Sequence, residues 1–175
     1  MTDHLMQWLY CLKQYALMCV FASGPQRLPD SPACIVLSVF AYFLLGFALI
    51  GPEHSYTLVI AQILFEVALL SLLTYVGLKW KSMLSRFKQT WSALIGINLI
   101  ISAVTIPVFR MMTDNSNTAD SIGSSVLYVT MLMIFWNLAI LSQIIKSAFE
   151  ISTVMSAMIV FNYFLLYQFT VIWFT

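Results

Sequence analysis

The stretch IAQILFEVALLSLL, residues 60–73, is an almost unbroken apolar run with one carboxylic acid, Glu66, near its centre. The rest of the chain has the same character, because 61% of its 175 residues are apolar and only 9% are charged. Soluble domains carry about 25% charged residues, so this chain cannot cover a globule with polar side chains. The composition predicts an all-α integral membrane protein, since backbone groups facing lipid must be paired within helices.

Five segments are long and apolar enough to be predicted as membrane-spanning helices, at about 20 residues per crossing. They cover residues 32–50, 56–78, 93–111, 122–145 and 151–173. The predicted organisation is therefore an N-terminal segment, residues 1–31, followed by a five-span membrane domain, residues 32–175.

The basic residues predict the orientation of these spans. Half of the eight lie in the connection between the second and third spans: Lys79, Lys81, Arg86 and Lys88. By the positive-inside rule, the N-terminus is expected in the cytoplasm and the C-terminus on the opposite side of the membrane. The net charge is only +1 and the basic residues are scattered, so no nucleic-acid partner is expected.

Two other segments are predicted to be amphipathic helices at the membrane surface. Trp80, Met83, Leu84, Phe87 and Trp91 share one helical face, and the four basic residues of that connection take the other. This pattern predicts a short basic helix on the cytoplasmic leaflet, attracted by anionic headgroups. The alternative is a solvated loop that only sets the topology.

The first 21 residues form the second amphipathic segment. A more polar line along this segment includes Gln7, Cys11 and Gln14, and apolar residues occupy the remainder. We predict an interfacial helix, with a sixth span as the alternative that Asp3 and Lys13 disfavour.

The stretch GPQRLPDSP, residues 24–32, follows this helix and holds three prolines, so no helix is expected to continue through it. Asp30 or Ser31 is expected to cap the first span, with Pro32 at its first position. The three cysteines, Cys11, Cys19 and Cys34, lack the close spacing of a metal or redox site and are predicted to be small apolar fillers.

Glu66 is expected near the middle of the bilayer, ten residues into the second predicted span, and no basic residue lies at that depth. A lone carboxyl group there is expected to be protonated or strongly hydrogen-bonded, because a buried charge is costly. Gln62 precedes it by one turn, and three later spans carry an amide near mid-depth. The predicted intramembrane polar seam consists of Glu66, Gln62, Asn98, Asn137 and Asn162.

Two interpretations of this seam stay open. Glu66 is either a protonatable site on a proton, ion or substrate path or a neutral acid that fixes helix register. Pro107 is predicted to kink the third span near its outer end.

No enzyme is indicated, and neither a cofactor nor a metal ion is expected. The two histidines, His4 and His54, are predicted on opposite sides of the membrane, and His54 with Glu53 is interpreted as part of a solvated turn. The chain also lacks GxSxG, HExxH and a glycine-rich phosphate loop.

The predicted topology, with a cytoplasmic N-terminal region and five closely spaced spans, resembles the Yip1-like membrane proteins. The GPQRLP elbow, residues 24–29, is similar to one in small uncharacterised proteobacterial inner-membrane proteins. This resemblance implies a bacterial inner membrane, with the C-terminus in the periplasm. The DLYGP stretch of eukaryotic Yip1 proteins is missing, so neither a trafficking role nor any functional residue is transferred.

The leading functional hypothesis is a non-catalytic accessory or scaffold subunit of a membrane protein assembly. It would contact the lipid bilayer and a membrane protein partner or further copies of itself. The alternative is a small transporter or proton-conducting component that uses Glu66, acting as an oligomer or with a partner chain.

Overall fold

The computed structural model describes residues 2–29, 31–49, 56–114 and 122–174, and these ranges contain helices and turns but no β-strand. The predicted all-α class is therefore confirmed for the described part of the chain. Its helices are α1 (Thr2–Cys19), α2 (Pro32–Leu49), α3 (Tyr56–Trp80), α4 (Phe87–Asp114), α5 (Ile122–Phe149) and α6 (Thr153–Phe174). Two short 3₁₀ turns, Pro25–Arg27 and Leu84–Arg86, lie in the connections before α2 and α4.

The described residues contain four stretches long and apolar enough to cross a membrane. They are Ile60–Trp80, Leu84–Pro107, Leu127–Phe149 and Thr153–Thr170. The first predicted span falls on α2, whose described apolar stretch, Pro32–Phe47, is shorter. This architecture is compatible with an integral membrane protein, and the fifth crossing stays a prediction.

Helix α4 lies at the centre of the bundle, in contact with α1, α2, α3 and α5. Its residues 92–99 are all buried. Eight residues make more than two helical turns, so every face of α4 is covered over this length. The local sequence, SALIGINL, permits this because it carries no charge and is apolar on almost every side. Helix α6 packs mainly on α5 and α3.

Helix α1 is attached to α4 through Tyr15, which is fully buried. The Tyr15 hydroxyl shares a 2.7 Å hydrogen bond with Ser92 Oγ and accepts another from Ser38 Oγ at 3.2 Å. The Tyr15 ring lies directly against Gly96, where a Cβ atom would overlap it. Glycine at position 96 therefore lets α1 approach α4 closely.

The buried face of α1 differs from the sequence expectation. Cys11 and Gln14, on the line predicted to be the more polar face, are buried, whereas Leu9 and Val20 are exposed. Gln14 is satisfied locally, because Ser23 Oγ donates a 2.8 Å hydrogen bond to its Oε1. Leu9 and Val20 thus face away from the bundle, although Leu12 of the same predicted side packs against the core. The placement of α1 at the membrane surface stays a prediction.

Contacts between α1 and α2 run in the same direction along both helices. Ser31 Oγ donates a hydrogen bond to Gln7 Oε1, and Ser38 Oγ donates one to the Tyr15 hydroxyl further along both helices. Between these contacts, Cys11 and Cys34 form a disulfide. Helix α1 therefore lies alongside the first half of α2, to which it is covalently joined.

The disulfide corrects the prediction that the cysteines are apolar fillers, which was wrong for Cys11 and Cys34. The two residues are 23 positions apart and meet only because α1 packs on α2, so their spacing carries no signal. Cys19 is free and buried, and burial raises the pKa of its thiol to about 11.

One end of the bundle gathers the elbow and two turns. Arg86 forms a 2.7 Å ion pair with Glu150, which connects the α3–α4 turn to the α5–α6 turn. The elbow joins the same end, because Gln89 Nε2 donates to the Leu28 carbonyl and Gln26 Nε2 donates to the Ser147 carbonyl. These contacts place the short connections close together, as expected for helices that alternate in direction.

The single amphipathic helix predicted over residues 80–91 was wrong. Helix α3 continues through Trp80, the chain turns at Ser82 with a left-handed φ of 56°, and α4 begins at Phe87. The first turn of α4 continues into the predicted third span, residues 93–111, because no helix-breaking residue lies between Phe87 and residue 93. The basic residues lie at this turn, where Lys79 Nζ is 5.6 Å from the centre of the Tyr75 ring.

Other local expectations have mixed outcomes. The Ser31 carbonyl accepts hydrogen bonds from the amides of Cys34 and Ile35. Ser31 therefore occupies the N-cap position of α2, and Pro32 is the first helical residue. Pro107 lies inside α4, which continues to Asp114, and its kink stays a prediction. The predictions for Asp30, Glu53 and His54 lie outside the described residues.

Gly96→Ala is expected to destabilise the protein because the new methyl group would overlap the Tyr15 ring. Overpacking of this kind costs about 1–3 kcal/mol, from which the better helix propensity of alanine subtracts about 1 kcal/mol. The measurement is the thermal unfolding midpoint of the purified protein in detergent. Gly46→Ala is the matched control, because its new Cβ meets only the flexible end of Ile63. Equal midpoints for the two variants would contradict the proposed role of Gly96.

Candidate functional site

A small cavity lies between α3, α4, α5 and α6, with a volume of about 100 Å³. Five polar side chains line it together with four apolar ones. The polar residues are Glu66, Asn98, Asn137, Tyr163 and Tyr167, and the apolar ones are Ile134, Leu138, Leu141 and Phe164. The cavity has room for about three water molecules, at about 30 Å³ each.

The polar residues meet because they lie at the same level of the bundle. At 1.5 Å per residue, Asn98 is about 17 Å from the start of α4, and Asn137 is about 18 Å from the end of α5. Tyr163 is about 15 Å from the start of α6. These three helix ends all lie at the end of the bundle that holds the Arg86–Glu150 ion pair. The cavity is thus far from either end of each helix.

Glu66 is surrounded by tyrosine hydroxyls. Its carboxyl group is within hydrogen-bonding range of the Tyr42 hydroxyl, which α2 contributes from outside the cavity lining. Tyr163 and Tyr167 of α6 lie close enough to interact with Glu66 electrostatically. Among the residues that line the cavity, none is Lys, Arg or His. Glu66 therefore has hydroxyl neighbours but no basic counter-ion in this lining.

The two amides of the cavity are enclosed by the bundle. Asn98 is 7% exposed, and Asn137 Oδ1 is buried without a hydrogen-bond donor from the described protein atoms. A buried polar atom that stays unpaired costs about 1–3 kcal/mol. Asn137 Oδ1 is therefore an acceptor that the described protein atoms leave unsatisfied, on a residue that lines the cavity.

The structure brings together part of the predicted polar seam. Glu66, Asn98 and Asn137 line one cavity, and Gln62 contacts it indirectly through a hydrogen bond with the Tyr167 hydroxyl. Asn162 lies elsewhere: its side chain is exposed and donates a 2.9 Å hydrogen bond to the Met158 carbonyl. Adjacent helical residues point about 100° apart, so Asn162 faces outward when Tyr163 faces the cavity.

Three tyrosines belong to the site but were not singled out from the sequence. Tyr42, Tyr163 and Tyr167 lie in apolar helices, where tyrosine was associated with the membrane surface. A signal was present in α6, because Tyr163 and Tyr167 are four residues apart and share one helical face. Tyr163 also lies near the middle of its predicted span, away from either membrane surface.

Asn162 lines a separate groove on the outside of the bundle, between α3 and α6. This α3–α6 groove has a volume of about 540 Å³ and is otherwise mostly apolar. Its lining residues are Leu69, Leu72, Leu73, Val76, Met155, Met158, Ile159, Asn162, Leu166 and Tyr163, the last of which also lines the cavity beside Glu66. The outward surface of α3 and α6 thus combines a wide apolar groove with one amide.

The cavity offers a limited range of chemistry. A carboxyl group beside phenol hydroxyls can take up and release a proton, and its oxygens can bind a small polar molecule or ion. Within the described ranges, no group of three or more His, Cys, Asp or Glu residues is placed to hold a metal ion.

Comparison with known proteins found no matching family model, no matching curated protein and no matching solved structure. The resemblance to Yip1-like proteins stays a prediction, and the function is argued from the cavity itself.

Tyr42→Phe is expected to destabilise the protein by about 1–3 kcal/mol, because it removes a hydroxyl partner of a buried carboxyl group. In a Glu66→Leu background the same change should be neutral or stabilising, since the Tyr42 hydroxyl then has lost its acceptor. Denaturant unfolding of the four variants measures this coupling. Tyr128→Phe is the control, because Tyr128 is 74% exposed. The contact with Glu66 is unimportant if Tyr42→Phe costs no more than Tyr128→Phe.

Proposed function

We propose that this chain is a small proton-linked transport component of a membrane, in which Glu66 takes up and releases the proton. The single observation that supports this most is the position of Glu66 at a cavity between α3, α4, α5 and α6, about midway along these helices. We propose no enzymatic reaction for the chain. A bundle of this size has few helices to enclose a path, so the component acts as an oligomer or with a partner chain.

The surroundings of Glu66 suit a group that changes its protonation. An ionised carboxyl group without a basic partner is costly in an apolar interior, so the neutral form is favoured when the cavity is dry. Water or a cation entering the cavity lowers this cost and favours the ionised form. The hydroxyls of Tyr42 and Tyr167, which both interact with the carboxyl group, carry exchangeable protons. Small changes in cavity hydration can therefore move a proton on or off Glu66.

The proposed topology has five crossings, with α2 as the first and α6 as the last. The end of the bundle that holds the Arg86–Glu150 ion pair also collects most of the basic residues. By the positive-inside rule this end faces the cytoplasm, and the chain resides in a bacterial inner membrane with its C-terminus in the periplasm. Lys79, Lys81, Arg86 and Lys88 then lie where anionic headgroups are found.

Glu66→Gln is expected to abolish proton movement while keeping the size and most hydrogen bonds of the side chain. The measurement is the rate at which proteoliposomes with an internal pH dye dissipate an imposed pH gradient. Glu150→Gln is the matched control, because Glu150 is an exposed glutamate in a turn. Loss of proton flux in Glu66→Gln alone is the predicted result. Equal flux in wild type and Glu66→Gln, with both folded, would rule out Glu66 as the proton-carrying group.

A second candidate function, an accessory or scaffold subunit, is favoured by Asn162. An amide exposed in an apolar α3–α6 groove is unfavourable toward lipid and suits contact with a helix of another membrane protein. Asn162→Leu should then reduce recovery of a stoichiometric partner in mild detergent, whereas Gln143→Leu, which changes an exposed amide on α5, should not. Recovery of a lone chain with full transport activity would contradict the scaffold function.

A further inference from the structure

We infer that the cavity beside Glu66 binds a monovalent metal cation of the size of Na⁺ or K⁺, in exchange for the proton of the Glu66 carboxyl group. This inference rests on the proposed function and names the ion that uses the same site. It depends on the charge of the residues that line the cavity, on their oxygen atoms and on the volume of the cavity.

The lining favours a cation over an anion. Glu66 contributes the only carboxyl group among the residues that line the cavity, and no basic residue lines it. The titratable groups that face Glu66 are Tyr42 from α2 and Tyr163 and Tyr167 from α6, while α4 and α5 contribute amides. An anion would meet a carboxyl group here without a cationic side chain from the lining to neutralise it.

The available donor atoms are oxygens, which are the ligands that hard cations prefer. Asn137 Oδ1 is the most informative, because it is buried and has no donor from the described protein atoms. Asn98, also deeply buried, adds a second amide to the same lining. A cavity lined by one carboxyl group and two amides is suited to a cation or to the waters that hydrate one.

Charge and volume select a monovalent ion. One carboxylate balances one positive charge, whereas sites for divalent ions usually add further carboxylates or phosphate groups. A space of about 100 Å³ holds a dehydrated ion with one or two waters but excludes large organic cations.

The exchange is balanced in charge and atoms. When the cation enters, the Glu66 O–H bond breaks, the proton leaves to water, and the carboxylate oxygens bind the cation. The reverse step returns the proton and releases the cation, so the charge of the cavity is unchanged throughout. Neither an oxidant nor a covalent intermediate is needed.

The test measures proton release from the purified full-length protein in weakly buffered detergent solution after addition of NaCl, KCl or choline chloride. At saturation we expect release of about one proton per chain with sodium or potassium and none with choline, which is too large for the cavity. Equal release with all three salts, or none with any, would overturn the inference.

Asn137→Leu should weaken the apparent cation affinity by about 10- to 100-fold, a typical loss when a residue that supports a metal site is replaced. Glu66 should still titrate in this variant. Gln143→Leu removes an exposed amide on α5 outside the cavity and should behave as wild type. If Asn137→Leu does not fold, Asn137→Ala takes its place. An unchanged affinity in the folded Asn137 variant would also overturn the inference.

The infrared band of the Glu66 carboxyl group distinguishes failure of the cation inference alone from failure of the proposed function. If this band responds to pH but sodium and potassium release no protons, the cation inference is wrong and the proposed function survives. If the band does not respond to pH at all, both the inference and the proposed function are wrong.

Discussion

The bundle depends on the burial of α4 on every side. A helix can be enclosed over more than two turns only if it carries no charge there and leaves room where a neighbour comes close. The stretch SALIGINL meets both conditions, with Gly96 beneath the Tyr15 ring and Ser92 bonded to the Tyr15 hydroxyl. Its remaining polar side chain, Asn98, is buried and lies at the cavity beside Glu66.

The same geometry explains why polar groups from different helices meet. Short turns connect α3 to α4 and α5 to α6, and the Arg86–Glu150 ion pair holds these turns side by side. An exposed ion pair contributes only about 0–1 kcal/mol, so it records the alignment more than it stabilises it. Residues at similar distances from the two turns therefore lie at one level, which brings Glu66 close to Asn98, Asn137 and Tyr163.

Sequence alone was sufficient to predict the helical class and the approximate extent of each apolar helix. The positions of Glu66, Asn98 and Asn137 along the bundle axis were also predictable, because counting residues from the helix ends places all three at one level. Rotation about the helix axis was not predictable in α6, whose weakly amphipathic sequence does not distinguish Asn162 from Tyr163. The Cys11–Cys34 disulfide was likewise missed, since it follows from the packing of α1 on α2 and not from spacing.

The surface helix predicted over residues 80–91 failed for a related reason. Three residues of its apolar stripe, Met83, Phe87 and Trp91, pack against the protein core, whereas Trp80 and Leu84 are exposed. The stripe therefore does not identify a separate helix on the membrane. A stripe at helical spacing fits both a lipid surface and a neighbouring helix, and only the tertiary structure distinguishes them. The inverted face of α1 shows the same ambiguity, because Gln14 is satisfied by Ser23 and does not need water.

The central claim is that Glu66 is a titrating carboxyl group inside the bundle, within reach of water. Infrared difference spectroscopy of the protein in lipid, recorded across a pH titration, measures this most directly. The account predicts one protonated-carboxyl band that vanishes as the pH rises, shifts in heavy water and is absent from Glu66→Gln. A wild-type spectrum without any such band over the pH range in which the fold is intact would contradict the account.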